Sequence, residues 1–175
     1  MRTTKLTAFL WSIVFISVLH SCKKADFPGN GQGGKKAEHG FAENNMVLYW
    51  NEKASMVLTG SFTPPAQARH FAMMQIAVHD ALNAIKPKYE RYALKNVRDQ
   101  FASIDAAVAS AAYHTLIKMK VEGSHPVGDW YEESLSLVPN GESKAKGIAL
   151  GIAAADAIVN ARGTDNFLEA NKQLP

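Results

Sequence analysis

Two adjacent side chains, those of His79 and Asp80, are the first candidates for chemistry, because an imidazole beside a carboxylate can transfer protons or bind a metal ion. Both lie in a segment with helical periodicity, where neighbouring side chains point about 100° apart and cannot easily bind one ion. No histidine or carboxylate stands three or four residues from His79, the spacing at which helical side chains meet. Because a buried charge needs a partner, we expect Asp80 to form a structural ion pair or hydrogen-bonded cluster, with Arg69 or Arg162 as candidate partners. A catalytic Asp80 is the alternative.

Three other groups carry weaker chemical signals. His114 stands on an alanine-rich helix and is typical of a partly buried histidine rather than a ligand. The residues at 123–125, Gly-Ser-His, include a nucleophile and a base, but Pro126 follows them in a loop. Met73 and Met74 have the adaptable side chains of core filler. The nucleophile motif Gly-x-Ser-x-Gly is absent, and we assign no catalytic, cofactor-binding or metal-ligating residue to this chain.

The N-terminus has the pattern of an export signal. Arg2 and Lys5 precede the almost wholly apolar residues 8–19, a run with the length of a signal-peptide core but short for a membrane span. Leu19-His20-Ser21-Cys22 then resembles a lipobox, although His20 is larger than usual. We predict that residues 1–21 are removed and that Cys22 is lipidated, which anchors the exported chain to the bacterial outer membrane. An ordinary secretory signal or a single anchor helix is the alternative.

For the rest of the chain, the sequence predicts a tether followed by one domain. Residues 22–42 are polar and rich in glycine and lysine, which predicts a flexible tether, and residues 43–175 are long enough for one helical domain. Cys22 is the only cysteine, so no disulfide or cysteine-based metal site is expected. After loss of residues 1–21, 17 basic residues face 16 acidic ones, a balance that does not indicate nucleic acid as a partner. The sequence is compatible with self-association into a homo-oligomer.

Helical periodicity predicts five helices, at residues 45–58, 65–85, 104–120, 129–137 and 142–161, and no strand. Thr63 and Ser103 are candidate N-caps, and Gly163 is a candidate end of the fifth helix. The third helix is rich in alanine, and the fifth has small residues at every fourth position, namely Gly147, Gly151 and Ala155. We therefore expect an all-α bundle in which helices approach closely.

Five segments, taken in order, resemble a known family. They are Val-Leu-Tyr-Trp-Asn at 47–51, Pro-Pro with Ala-Arg at 64–69, Ala-Val-His-Asp-Ala-Leu-Asn-Ala-Ile at 77–85, the helix at 106–116, and Gly147 with Gly151 and the closing Ala-Arg-Gly-Thr-Asp at 161–165. The set is similar to the N-terminal helical region of vanadium-dependent haloperoxidase-like proteins of the phosphatidic-acid-phosphatase type 2 superfamily. The resemblance covers roughly residues 46–166 and implies the first part of a larger helical bundle.

The resemblance also implies where the chemistry would lie. Members of that family bind vanadate, or phosphate in the phosphatase relatives, with a C-terminal half that carries a Lys with a downstream Arg-Pro, a Ser-Gly-His and a final Arg near a His. Neither Arg-Pro nor Ser-Gly-His occurs in this sequence, so no family catalytic residue is transferred to it. We expect the N-terminal scaffold portion of a longer haloperoxidase-like protein. An acid phosphatase portion and a stand-alone helical lipoprotein with a binding or structural role are the alternatives.

Overall fold

The computed structural model describes residues 46–59, 61–121, 125–165 and 167, all within one compact unit of the chain, His39–Pro175. The described residues form five helices and no strand: α1 Met46–Leu58, α2 Pro64–Ile85, α3 Ile104–Lys118, α4 Val127–Ser136 and α5 Glu142–Arg162. The predicted all-α architecture is confirmed, and each helix end lies within two residues of its predicted position. The predictions about Cys22, the signal peptide and the tether fall on residues 1–42, outside the described residues.

The core is formed mainly by α2, α3 and α5, with α1 packed against α2 and α3, and α4 packed against α3. The largest fully buried side chains come from all five helices and the segment after α3, and include Trp50, Met74, Leu116 and Ile158. Met73 and Met74 are both buried, which confirms the prediction that their side chains fill the core. None of the five described helices combines the length and apolar composition needed to cross a bilayer.

The contact between α3 and α5 is the most extensive in the described bundle, and it depends on two glycines. A Cβ atom on Gly147 would lie 2.5 Å from the carbonyl oxygen of Ser103, and one on Gly151 would lie 2.5 Å from that of Ala107. Both distances are far below van der Waals contact, so only glycine allows the two helix backbones to approach this closely. The predicted close approach along the small-residue positions of α5 is confirmed.

The two predicted N-caps differ in the structure. The Oγ of Ser103 accepts a hydrogen bond from the backbone N–H of Ala106 at 3.3 Å, so the prediction of a cap on α3 is confirmed. Thr63 occupies the N-cap position of α2 as predicted, but its hydroxyl makes no capping hydrogen bond, so the prediction is confirmed for the position and wrong for the hydroxyl. The physical reason is that Pro64 and Pro65 occupy the first positions of α2 and have no N–H, which leaves few unpaired donors for a cap to satisfy.

Helix α3 ends earlier than predicted because the chain reverses at Lys120. The N–H of Val121 donates to the carbonyl of Leu116 at 3.0 Å, and the N–H of Lys120 donates to that of Ile117 at 2.9 Å. This hydrogen-bond pair is the Schellman motif, which requires a left-handed residue and usually has glycine there. Lys120 occupies that position with φ of 57°, and it is the only residue other than glycine with positive φ among those the structure describes.

The connection between α2 and α3, residues 86–103, has no regular structure but is attached to α2 by two side chains. The Oδ1 of Asn83 accepts hydrogen bonds from the backbone N–H of Lys88 at 3.1 Å and of Tyr89 at 2.7 Å. The second attachment is the carboxylate of Asp80. These hydrogen bonds satisfy backbone groups that a helix or strand would otherwise pair.

Candidate functional site

Asp80 holds the middle of that connection through its carboxylate, which is 1% exposed. Oδ1 accepts a hydrogen bond from the backbone N–H of Tyr92 at 2.8 Å. Oδ2 accepts two more, from the N–H of Ala93 at 2.6 Å and of Leu94 at 2.8 Å. Three successive amides therefore surround one buried carboxylate, an arrangement that compensates its charge without a cation.

The pKa of Asp80 reflects this arrangement. Burial alone would raise the pKa of Asp80, but the backbone amides of Leu94, Tyr92 and Ala93 and the side chain of His79 together hold it below its ordinary value. Asp80 is therefore ionised in the folded protein at neutral pH. The expected pairing with Arg69 or Arg162 is wrong, and the alternative of a hydrogen-bonded cluster describes the site. On α2, Arg69 lies eleven residues before Asp80, about 16 Å along the helix axis, which is beyond the reach of its side chain.

His79 lies against this cluster, with its Nδ1 3.2 Å from Oδ1 of Asp80 and its side chain 40% exposed. Its ring stacks near that of Tyr89, with centroids 6.4 Å apart. A carboxylate that orients an imidazole can support proton transfer, but the oxygens of Asp80 are also committed to the connection's backbone. Within the described residues, no group of three or more metal-ligating side chains converges. The geometry favours a structural role for Asp80 over a catalytic one.

The remaining sequence candidates are dispersed. His114 is partly buried, and its ring contacts the edges of Tyr113 and Tyr131 at centroid distances of 5.0 and 5.5 Å. Burial lowers the pKa of His114, Lys118 acts in the same direction, and Asp156 opposes them. His125 lies beside Trp130, whereas Gly123 and Ser124 are outside the described residues.

The structure brings Arg69 and Arg162 together at a different place, a cavity of about 370 Å³ between α2 and the C-terminal ends of α3 and α5. We call it the α2–α3–α5 cavity. Four cationic side chains line it along with one carboxylate, that of Asp165. The cations are those of Arg69, Lys118, Lys120 and Arg162. Apolar walls come from Met73, Met119, Val159 and Phe167.

Two of the four cations are paired with carboxylates. Arg69 Nη2 lies 2.8 Å from one oxygen of Asp165 and 2.9 Å from the other, and it also donates to the backbone carbonyl of Arg162 at 2.9 Å. The hydrogen bond from Arg69 is the main reason why the pKa of Asp165 lies below its ordinary value. Lys118 Nζ pairs with Asp156 at 2.7 Å. These contacts join α2 and α3 to the end of α5.

The other two cations have no such partner. Arg162 donates a hydrogen bond to the hydroxyl of Tyr92, which is a neutral group, and its guanidinium lies over the ring of the same residue. No carboxylate of the described residues lies within 4.0 Å of the cationic nitrogens of Arg162 or Lys120. Among the described residues that line the cavity, four cationic side chains therefore face a single carboxylate.

His70 is the most buried polar residue of this cavity, with 6% of its surface exposed. Its Nδ1 has no hydrogen-bond partner of normal geometry, and its ring packs against Phe62 with centroids 4.6 Å apart. Burial lowers the pKa of His70, the charge of Arg69 acts in the same direction, and the nearby carbonyl of Ala66 opposes them. His70 is therefore neutral at pH 7.

Sequence reasoning singled out Arg69 and Arg162 but assigned them to Asp80, and it did not single out His70 or Lys120 as a site. The adjacent Arg69 and His70, together with Asp165 three residues after Arg162, were the available signal. Their proximity depends on α2 and α5 packing against each other, which the sequence does not specify. No family model, curated protein or solved structure matches this chain.

Proposed function

We propose that this chain is the N-terminal helical scaffold of an exported, lipid-anchored protein of the vanadium-dependent haloperoxidase type. The supporting observation is the role of the residues that carry the sequence resemblance. Asp80 and Asn83 attach the connection between α2 and α3, Gly147 and Gly151 permit the close packing of α3 and α5, and Arg69 joins α2 to Asp165. All are contacts between elements, which is what a scaffold requires.

The residues that the structure describes do not fit vanadate, so no step of halide oxidation is assigned to them. A multiply charged oxyanion needs several converging donors. In the α2–α3–α5 cavity, the guanidinium of Arg69 is already occupied by Asp165, whose carboxylate would repel the oxyanion. Methionine and valine side chains on the walls offer no N–H or O–H to the remaining oxygens. Vanadate and its chemistry would belong to the part of the protein that carries the family's missing motifs.

The scaffold proposal is tested by the reading frame that encodes this chain and by an assay. We expect the frame to continue beyond Pro175 into a segment with Arg-Pro and Ser-Gly-His, and the joined polypeptide to oxidise bromide with peroxide when vanadate is added. Hydrolysis of phosphate esters without vanadate dependence would favour the acid-phosphatase alternative.

The same assay on the present chain alone should give neither activity. Turnover that persists through repurification and is abolished by a point substitution among residues 46–167 would contradict the scaffold role.

The lipid anchor has a separate test. In a bacterial host fed radiolabelled fatty acid, the wild-type chain should be labelled and membrane-bound, and Cys22→Ala should abolish the label. Ser21→Ala is the matched control, because it changes the neighbouring residue but keeps the thiol. A soluble, unlabelled wild-type product would contradict lipidation.

A stand-alone binding lipoprotein is the second candidate function, and the α2–α3–α5 cavity is the observation that favours it. Its volume of about 370 Å³ lies within the range of small-molecule pockets. A reading frame that ends shortly after Pro175 would favour this candidate over the scaffold.

A further inference from the structure

We propose that the α2–α3–α5 cavity binds a monoanion with an apolar body, a carboxylate carried on an alkyl or aryl chain. The proposal stands on the cavity alone and holds whether the chain is a scaffold or a stand-alone protein. Three features of the cavity carry it: its surplus of cations over carboxylates among the described residues, the backbone conformation of one of its cations, and its apolar walls.

The charge of the cavity sets the charge of the ligand. Asp165 pairs with Arg69, and Asp156 pairs with Lys118, whereas no carboxylate of the described residues lies within 4.0 Å of the cationic nitrogens of Arg162 or Lys120. The charge of Asp165 also acts on Arg162, so one carboxylate serves two arginines of the cavity. An arginine and a lysine at one cavity are suited to a single carboxylate, which can accept from both. A more highly charged anion would meet the repulsion of Asp165, which lines the same cavity.

The backbone of Lys120 indicates that its position serves more than the fold. It occupies the left-handed position of the Schellman motif, where a side chain costs stability that glycine would not. Strained residues persist where the surrounding structure fixes them and cluster at functional sites. Lys120 lines the cavity, so the strained conformation keeps a cation at the ligand.

The walls of the cavity set the body of the ligand. Met73, Met119 and Val159 present apolar surface, and methionine side chains adapt to ligands of different shape. Burial of an alkyl or aryl group against them contributes affinity that a bare phosphate or acetate cannot gain. Charge at one part of the cavity and apolar surface elsewhere therefore select an amphipathic anion over a small inorganic one.

The test uses the full chain with Cys22→Ala, which leaves all residues of the cavity intact, and titration calorimetry with octanoate below its micellar concentration. Octanamide has the same body without the charge, and acetate has the charge without the body. We expect octanoate to bind at least about tenfold more tightly than either, the difference that one charge-assisted contact or an apolar burial of similar free energy provides. Inorganic phosphate is the fourth probe and should bind no better than acetate.

Two substitutions at Lys120 separate binding from folding. Lys120→Gly should weaken octanoate binding about tenfold and at the same time raise the midpoint of thermal unfolding, because glycine accepts the left-handed conformation without strain. Lys120→Arg keeps the charge and should retain binding. Arg98→Gln is the matched control, because it removes an exposed cation that does not line this cavity.

Several outcomes would overturn the proposal. The first is that octanoate does not bind, and the second is that octanamide binds as tightly as octanoate. The third is that Lys120→Gly binds octanoate as tightly as the wild-type chain does. Phosphate binding in the absence of octanoate binding would also overturn it and would identify the cavity as a site for small oxyanions. Loss of affinity in Arg98→Gln equal to that in Lys120→Gly would show a general effect of net charge instead of a site.

Discussion

The Oδ2 atom of Asp80 lies 2.6 Å from the backbone nitrogen of Ala93, thirteen residues further along the chain. The N–H groups on either side of Ala93 donate to the same carboxylate. One helical side chain thus determines the path of a long irregular segment. The same carboxylate accepts from His79, which explains why two polar residues occur in an otherwise apolar part of α2.

Replacement of Asp80 should destabilise the fold strongly. Asp80→Ala leaves three amides without their acceptor, and we expect the free energy of unfolding to fall by about 3–5 kcal/mol. Asp80→Asn keeps one acceptor oxygen and should cost less. Urea denaturation measures both, with the exposed Glu132→Ala as a control that should change stability by less than about 0.5 kcal/mol. A similarly small change for Asp80→Ala would show that the cluster contributes little.

The glycines of α5 should be intolerant of even one methyl group. A Cβ on Gly151 would lie 2.5 Å from the carbonyl oxygen of Ala107 and 2.7 Å from the nitrogen of Ala111, and both are backbone atoms. Gly151→Ala should therefore cost about 1–3 kcal/mol, although alanine favours helix.

Gly128 on α4 is the matched control for this prediction. A methyl group added to Gly128 would meet no neighbouring atom within 4 Å, so Gly128→Ala should stabilise the protein by up to about 1 kcal/mol. Thermal unfolding of the two variants compares them directly. A stabilised Gly151→Ala would mean that α3 and α5 separate readily.

The two candidate N-caps provide a paired test. Ser103→Ala removes the side-chain acceptor for the N–H of Ala106 and should lower the free energy of unfolding by about 1 kcal/mol. Thr63→Ala removes a hydroxyl without a capping hydrogen bond and should change it by less than about 0.5 kcal/mol. Equal effects of the two substitutions in chemical denaturation would contradict the conclusion that the hydroxyl of Ser103 caps its helix and that of Thr63 does not.

His70 should make the fold sensitive to mildly acidic pH. Because burial lowers the pKa of His70 below its ordinary value of 6.5, the unfolded chain takes up a proton before the folded chain does. The free energy of unfolding should therefore decrease as pH falls from about 6.5 towards the lower folded pKa, and above about 6.5 His70 has no effect. His114 is shifted in the same direction and adds to the slope.

The measurement is the free energy of unfolding at several pH values between about 5 and 7, where the carboxylates with lowered pKa values stay ionised. His70→Phe keeps a ring against Phe62 and should reduce the slope, leaving the part that belongs to His114. An unchanged slope in this variant would contradict a shifted pKa for His70.

The helices of this protein could be predicted because their signals are local. Apolar periodicity, the hydroxyl of Ser103 and the small residues of α5 each act within one or two turns of the chain. Even the close packing of α3 on α5 could be predicted, since alanine and glycine at helical spacing leave little besides backbone to fill the interface.

The sites could not be predicted in the same way. The partners of Asp80 are backbone amides, which every residue but proline has, so the sequence carries no sign of which three will be used. Arg69 and Asp165 are 96 residues apart, and only the packing of α2 against the end of α5 joins them. The sequence pattern places Lys120 inside α3 because glycine, the usual residue of its conformation, is absent there.

The glycines and alanines between α3 and α5 also determine what this interface loses on folding. Gly147, Gly151 and the alanines facing them have no rotamers, so the contact forms without the side-chain conformational entropy that leucine or methionine would give up. Opposite these two glycines the interface therefore has few side chains that can change rotamer, and Ser110, which faces Gly151, is one of them. An added atom cannot be accommodated by rotation about a side-chain bond, and only displacement of a whole helix can make room for it. We expect sequence variation to be accepted more readily around the methionines of α2 than along this contact.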